Sequence, residues 1–126
     1  MRQISQKTRK VLDTDRFYKQ CARRGVAGHY CEGRLTMDHA VIYAGRQVDK
    51  PWAIVPLCAK AHSVDYFQDG GEHDKEISLW IALNRASDDE LREVSKAIPY
   101  NRERARLNLK YGFYTPPVYN PYDVNY

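Results

Sequence analysis

Two short apolar runs, each ending on side chains that can bind a metal or move a proton, constrain this chain more than anything else in it. The first is Leu35-Thr36-Met37-Asp38-His39. The second, Ile54-Val55-Pro56-Leu57-Cys58-Ala59-Lys60-Ala61-His62, is broken by Pro56 and feeds a helical pattern with Cys58 and His62 one turn apart. Runs of this length predict two strands followed by a helix. Paired as a hairpin, they gather Asp38, His39 and His62 at one end of the unit. An acid, a neutral base and a second imidazole on one wall can hold a divalent ion and deprotonate a water. The plainer readings are a turn-forming Asp38 and histidines in ordinary hydrogen-bonded roles.

These residues resemble the HNH family of nucleases, also called His-Me finger or ββα-metal nucleases. The marks are the Asp38-His39 pair, Pro56-Leu57-Cys58 entering a helix, and His62 just after, and the resemblance covers roughly residues 21–68. It implies that His39 is the general base and that Asp38 and His62 bind a divalent metal, Mg²⁺, Mn²⁺ or Ni²⁺. The family's middle Asn falls on Ala53, a departure from the pattern. Many members also carry a structural zinc held by two C-x-x-C knuckles. Here Cys21-Ala22-Arg23-Arg24 and Cys58-Ala59-Lys60-Ala61 each keep the first Cys and lose the second. Cys31 and His29 lie between them, so Cys21, Cys31 and Cys58 with His29 would satisfy tetrahedral zinc. His62 is the rival fourth ligand, and three buried thiols without zinc are the alternative to any metal.

Around this unit the pattern is helical. Residues 5–24 read as one or two helices with Ser5 as N-cap, Val11, Leu12, Phe17, Tyr18 and Cys21 as apolar positions, and Gly25 as the stop. Residues 40–52 read as a long connection between the strands, and Gly70-Gly71 closes the helix that begins at Cys58. Residues 75–85 place Ile77, Trp80, Ile81 and Asn84 on one face, with Leu83 off it. Ser87-Asp88-Asp89-Glu90 has the form of a capping box, opening a helix with Leu91, Val94, Ala97 and Ile98. A last helix spans about 100–111, with Tyr100, Leu107 and Tyr111 in an apolar line beside Arg102, Arg106 and Lys110. Residues 113–126 have no periodicity. Trp52 and Trp80 read as core rather than as base-stacking platforms. The expected fold is therefore α+β: one domain of 126 residues, a ββα-metal finger flanked by N-terminal and C-terminal helices.

Charge sharpens the functional expectation. Residues 1–24 hold eight basic and two acidic side chains, a net of +6, while residues 72–90 hold two basic and six acidic, a net of −4. One end is a candidate polyanion surface, with Arg9, Lys10 and Arg16 on the N-terminal segment as DNA-contact candidates, and the resemblance implies phosphate contact for Arg46 and Lys50 in the connection between the strands. No apolar run reaches the roughly 18 residues of a membrane span and the N-terminus lacks a signal-peptide core, so a cytoplasmic chain without a membrane partner is expected. The resemblance adds DNA as substrate, a phage or mobile-element setting, and a homodimer or a phage or recombination protein as partner. The expected function is a metal-dependent DNA endonuclease. Its rivals are a nucleic-acid-binding module that lost catalysis and a zinc-stapled protein-interaction module using the acidic segment and Tyr-rich tail.

Overall fold

A computed structural model of the chain describes residues 4–26, 28–62 and 73–117. Helix α1 (Gln6–Thr14) begins where Ser5 Oγ accepts the Thr8 amide at 3.3 Å. It stops at Asp15, whose carboxylate caps a 3-10 turn over Arg16–Lys19 by accepting the Phe17 amide at 3.0 Å. That second cap is why helix does not run on toward Gly25. Leu12 and Tyr18 pack on Ile54, while Val11, expected on the apolar face, is exposed.

Strand β1 (Leu35–His39) precedes a small hairpin, β2 (Ile42–Tyr43) and β3 (Arg46–Gln47), inside the stretch expected to be a plain connection. Ala44 (φ 51°) and Gly45 (φ 78°) close it. Two successive left-handed residues give a turn whose twist matches that of the strands. A 3-10 turn over Pro51–Ala53 leads into β4 (Ile54–Cys58), which pairs antiparallel with β1, Leu35 facing Cys58 and His39 facing Ile54. All five β4 residues are buried. Pro56 is tolerated because this sheet has two strands and β4 needs only one ladder edge. Helix α2 is described over Ala59–His62, and the expected stop at Gly70-Gly71 lies outside the described residues.

Asp74 caps α3 (Lys75–Arg85) by accepting the Glu76 amide. Trp80, Ile81, Ala82 and Leu83 are all buried. Leu83, expected off the apolar face, is enclosed because β4 and the Pro51–Ala53 turn cover one side of α3 and the last helix another. The capping box at Ser87 and Glu90 is formed and opens α4 (Asp88–Val94). This helix ends before Ile98, which is 44% exposed, since Ser95 Oγ accepts the Tyr100 amide and turns the chain. Helix α5 (Tyr100–Tyr111) stops at Gly112, with φ 84°. The Gly112 carbonyl accepts the Trp80 indole N–H at 2.9 Å. Beyond it Tyr114 folds back into the core and donates to the Ala22 carbonyl at 2.6 Å, so the beginning of the tail is part of the domain.

The architecture is α+β, with helices around two small antiparallel sheets. The acidic stretch is matched internally: Asp88 pairs with Arg104, and Glu76 with Lys110 and Arg106. The basic line of α5 is therefore in part the complement of α3 and α4. Among the described residues no helix is long and apolar enough to cross a membrane.

Candidate functional site

Two clusters of titratable side chains meet the β1–β4–α2 unit, one of cysteines with a histidine and one of an acid with imidazoles. The first assembles Cys21, His29, Cys31 and Cys58, with all four ligand atoms within 4.8 Å of one another. Backbone contacts set each contributor. The Ala22 amide donates to the Pro56 carbonyl at 2.7 Å, holding the Cys21 turn against β4. Cys58 ends β4. The Lys60 amide donates to the Glu32 carbonyl at 3.0 Å, tying the Cys31 loop to the start of α2.

His29 Nε2 lies 3.6 Å from Cys21 Sγ, 3.4 Å from Cys31 Sγ and 3.7 Å from Cys58 Sγ. Ligands bonded to zinc at about 2.3 Å for sulfur and about 2.0 Å for nitrogen stand about 3.5 Å apart at a tetrahedral angle. The three distances bracket that value, so this Cys₃His group could hold a metal ion such as zinc. No cysteine is in a disulfide.

The thiols show what loading a metal must overcome. Hydrogen bonding to Cys31 and burial push the Cys21 thiol up to about 12. The same hydrogen bond lowers Cys31, and burial raises Cys58. Near neutral pH, Cys21 and Cys58 thus hold protons that a metal must displace. Because thiolate is the binding form, apparent zinc affinity rises as pH rises. Calorimetry in buffers of differing ionisation enthalpy should show at least one proton released from each of these two thiols per zinc bound.

The second cluster joins β1 to the end of α2. Pleating sends Thr36 and Asp38 to one face of β1, and His62 meets both. The Thr36 hydroxyl donates to the Leu57 carbonyl at 2.9 Å. Its single proton being spent, its 2.5 Å contact with His62 Nδ1 requires that nitrogen to be the donor. The network thus places an N–H on Nδ1 and turns Nε2 toward Asp38 Oδ1, 3.5 Å away. On the other carboxylate oxygen, His73 Nε2 stands 3.6 Å from Asp38 Oδ2.

These separations exceed the roughly 2.7–2.9 Å of a charge-assisted hydrogen bond. They approach the ~3.0–3.4 Å between ligands sharing an ion at about 2.1 Å. Asp38 is buried. Burial alone would raise its pKa, but hydrogen bonding and charge from His62, with charge from His73, hold it below the usual carboxylate value.

Of the residues expected at a site, the structure gathers Cys21, His29, Cys31 and Cys58 in one cluster and Asp38 with His62 in the other. His62 is occupied by Thr36 and Asp38 and is not the fourth member of the cysteine cluster. His39, next to Asp38, leaves the strand toward the opposite face. Ala53, where the resemblance places an asparagine, is fully buried in the core. Arg9, Lys10, Arg16, Arg46 and Lys50 are exposed. Hydrogen bonds from Thr8 Oγ1 and the Ser5 amide to Asp49 bring the segment carrying Lys50 beside α1.

Two participants escaped the sequence reading. Thr36 was accessible in principle, since i and i+2 share a strand face. Nothing in the spacing marks His73, an isolated histidine one residue before the Asp74 cap. Comparison of the chain with protein-family models, with curated proteins and with solved structures finds no match. The fold and the clusters define an α+β chain with a candidate Cys₃His metal centre.

Proposed function

We propose that this chain is a metal-dependent DNA endonuclease built on an HNH-type ββα finger, with structural zinc on Cys21, His29, Cys31 and Cys58. The observation that carries the reading is the joining of Asp38 to His62 at one end of the β1–β4–α2 unit, with His39 at the tip of the same strand. Asp38 and His62 hold a divalent ion such as Mg²⁺, Mn²⁺ or Ni²⁺, and Thr36 fixes the His62 ring so that Nε2 faces it. When bound, the ion supplies positive charge against the phosphate oxygens and the leaving 3′ oxygen.

His39 takes a proton from the attacking water. Its Nε2 is enclosed by the fold, so the proton moves to Nδ1. As water oxygen bonds to phosphorus, the bond to the 3′ oxygen breaks. Attacking and leaving oxygens lie roughly in line in phosphoryl transfer. A base and an ion on opposite sides of one strand tip suit that requirement.

The site is tested by Asp38→Ala and His62→Ala. Both should lose plasmid nicking together with affinity for the ion, and excess metal should restore part of the rate. Nicking unaltered in both variants would exclude this site. A second reading, a finger that binds DNA without cutting it, is favoured by the departure of His39 from the Asp38 face, and metal-independent binding without nicking would establish it.

The exposed cations of α1 and its neighbours form the DNA surface. Replacing Arg9, Lys10 and Arg16 with Gln should weaken binding and flatten its salt dependence by up to about 0.9 in log–log slope per lost phosphate contact. A slope equal to the parent's would show that these side chains only solvate a helix.

A further inference from the structure

We propose that the groove between residues 24–26 and the chain beyond α5 takes one unpaired nucleotide of a DNA strand, its base against the aromatic wall and its phosphate on Arg24. The inference rests on the proposed function and deepens it, because it makes the substrate a strand with unpaired bases, as at an end, a flap or a branch. The groove has a volume of about 790 Å³, within the roughly 300–1,000 Å³ of ligand pockets. Trp80, Tyr111, Phe113 and Tyr114 bring rings to its lining. Among the described residues that line it, only Arg24 carries a charge at neutral pH. Such a lining complements a flat unsaturated ring joined to one negative charge, and each nucleotide of a strand has both.

The rings are held in place before any ligand arrives. The Trp80 indole N–H is shared by the Gly112 carbonyl at 2.9 Å and Asn108 Oδ1 at 3.1 Å. Tyr111 Oη donates to Glu76 Oε1 at 2.7 Å, and its ring lies 5.4 Å from that of Trp80. Beyond them Tyr114 Oη donates to the Ala22 carbonyl at 2.6 Å. Phe113 thus stands between two anchored residues and is itself 83% exposed. An aromatic side chain fixed through both neighbours and open to solvent stacks a base at little ordering cost. Gln20, itself buried, accepts from Arg24 Nη1 at 3.2 Å and donates to the Pro117 carbonyl at 3.2 Å, which sets the guanidinium beside the same wall. The 3-10 turn that carries Arg16 joins this wall through Phe17, whose ring meets Tyr114 edge to face at 6.5 Å. The groove therefore adjoins the basic N-terminal segment.

A duplex hides the faces of its stacked bases, so only a single strand should reach this groove. Phe113→Ser should weaken single-strand affinity by roughly 5- to 150-fold, the worth of one base-stacking side chain. Arg24→Gln should weaken it as well and flatten its salt dependence by about 0.7 in log–log slope, the share of one phosphate on a single strand.

The test is titration of the full chain, without added divalent ion, into a single-stranded oligonucleotide carrying one 2-aminopurine and into a blunt duplex of the same strand. Unchanged circular dichroism reports an intact fold in the variants. The parent should alter the 2-aminopurine fluorescence of the single strand, and Phe113→Ser should lose both that change and affinity. No fluorescence change with the parent, or an affinity unaltered in Phe113→Ser, overturns the proposal. Loss in Arg24→Gln alone marks a phosphate contact with no base in the groove and overturns it too. A proline-rich peptide whose binding depends on Phe113, where that of the strand does not, would show a peptide groove instead. Plasmid nicking by the same protein keeps the two readings apart. Nicking without the fluorescence change removes the groove and leaves the nuclease, whereas a Phe113-dependent change without nicking removes the nuclease and leaves the groove.

Discussion

Cys58→Ser should leave a chain that neither retains zinc nor folds stably, and Cys31→Ser should come close to it. The comparison separates a metal site from a packed core. Cys58 is fully buried in the main core, whereas Cys31 is only partly enclosed. If the thiols were mere packing, a hydroxyl at position 58 would cost about 1–3 kcal/mol as a buried polar group, and one at position 31 close to nothing.

As zinc ligands both belong to one thermodynamic unit. Structural zinc contributes on the order of 10 kcal/mol in small fingers, against a typical total stability of about 5–15 kcal/mol. Removing either thiolate then removes a large share of what holds the Cys21 turn and the Cys31 loop to the end of β4. Urea unfolding with metal analysis decides the matter. Two variants that differ in stability according to burial, with no zinc in the parent, would contradict the metal account.

The second large effect concerns His39. His39→Ala should slow DNA nicking by about 10²- to 10⁴-fold, the usual worth of a general base, with DNA affinity and ion affinity nearly unchanged. The separation follows from its position. His39 is adjacent in sequence to Asp38, the proposed ion ligand, but leaves the strand from the other face, so in this proposal it acts on the attacking water without holding the ion. Asp38→Ala and His62→Ala should instead change ion affinity and rate together. A His39→Ala protein that lost ion binding would mean that the side chain belongs to the metal site and is not the base.

How much the sequence disclosed depended on whether a contact is local. The pairing of Leu35–His39 with Ile54–Cys58 follows from two apolar runs of equal length, and the Ser87–Glu90 capping box from four consecutive residues. The cysteine cluster was also within reach, because Cys21 and Cys58 mark the two sides of the finger and His29 and Cys31 lie between them. Long-range contacts were not. Leu83 appears misplaced on an isolated helix and is buried because β4, the Pro51–Ala53 turn and α5 all pack on α3. Lys110 and Arg106 look like a free basic stripe until Glu76, some thirty positions earlier, meets them. The small hairpin turns on an alanine in a left-handed conformation, which residue preference argues against. His73 reaches Asp38 through tertiary folding alone.

Exposure of supercoiled plasmid to the zinc-loaded parent chain, with Mg²⁺, Mn²⁺ or Ni²⁺ and with EDTA, tests the nuclease assignment most directly. The account predicts nicked circles that accumulate with the added ion, vanish with EDTA at a concentration that leaves the structural zinc in place, and nearly vanish in His39→Ala. Equal nicking by the parent and His39→Ala under every ion, or none by the parent while it binds the same DNA, would contradict it.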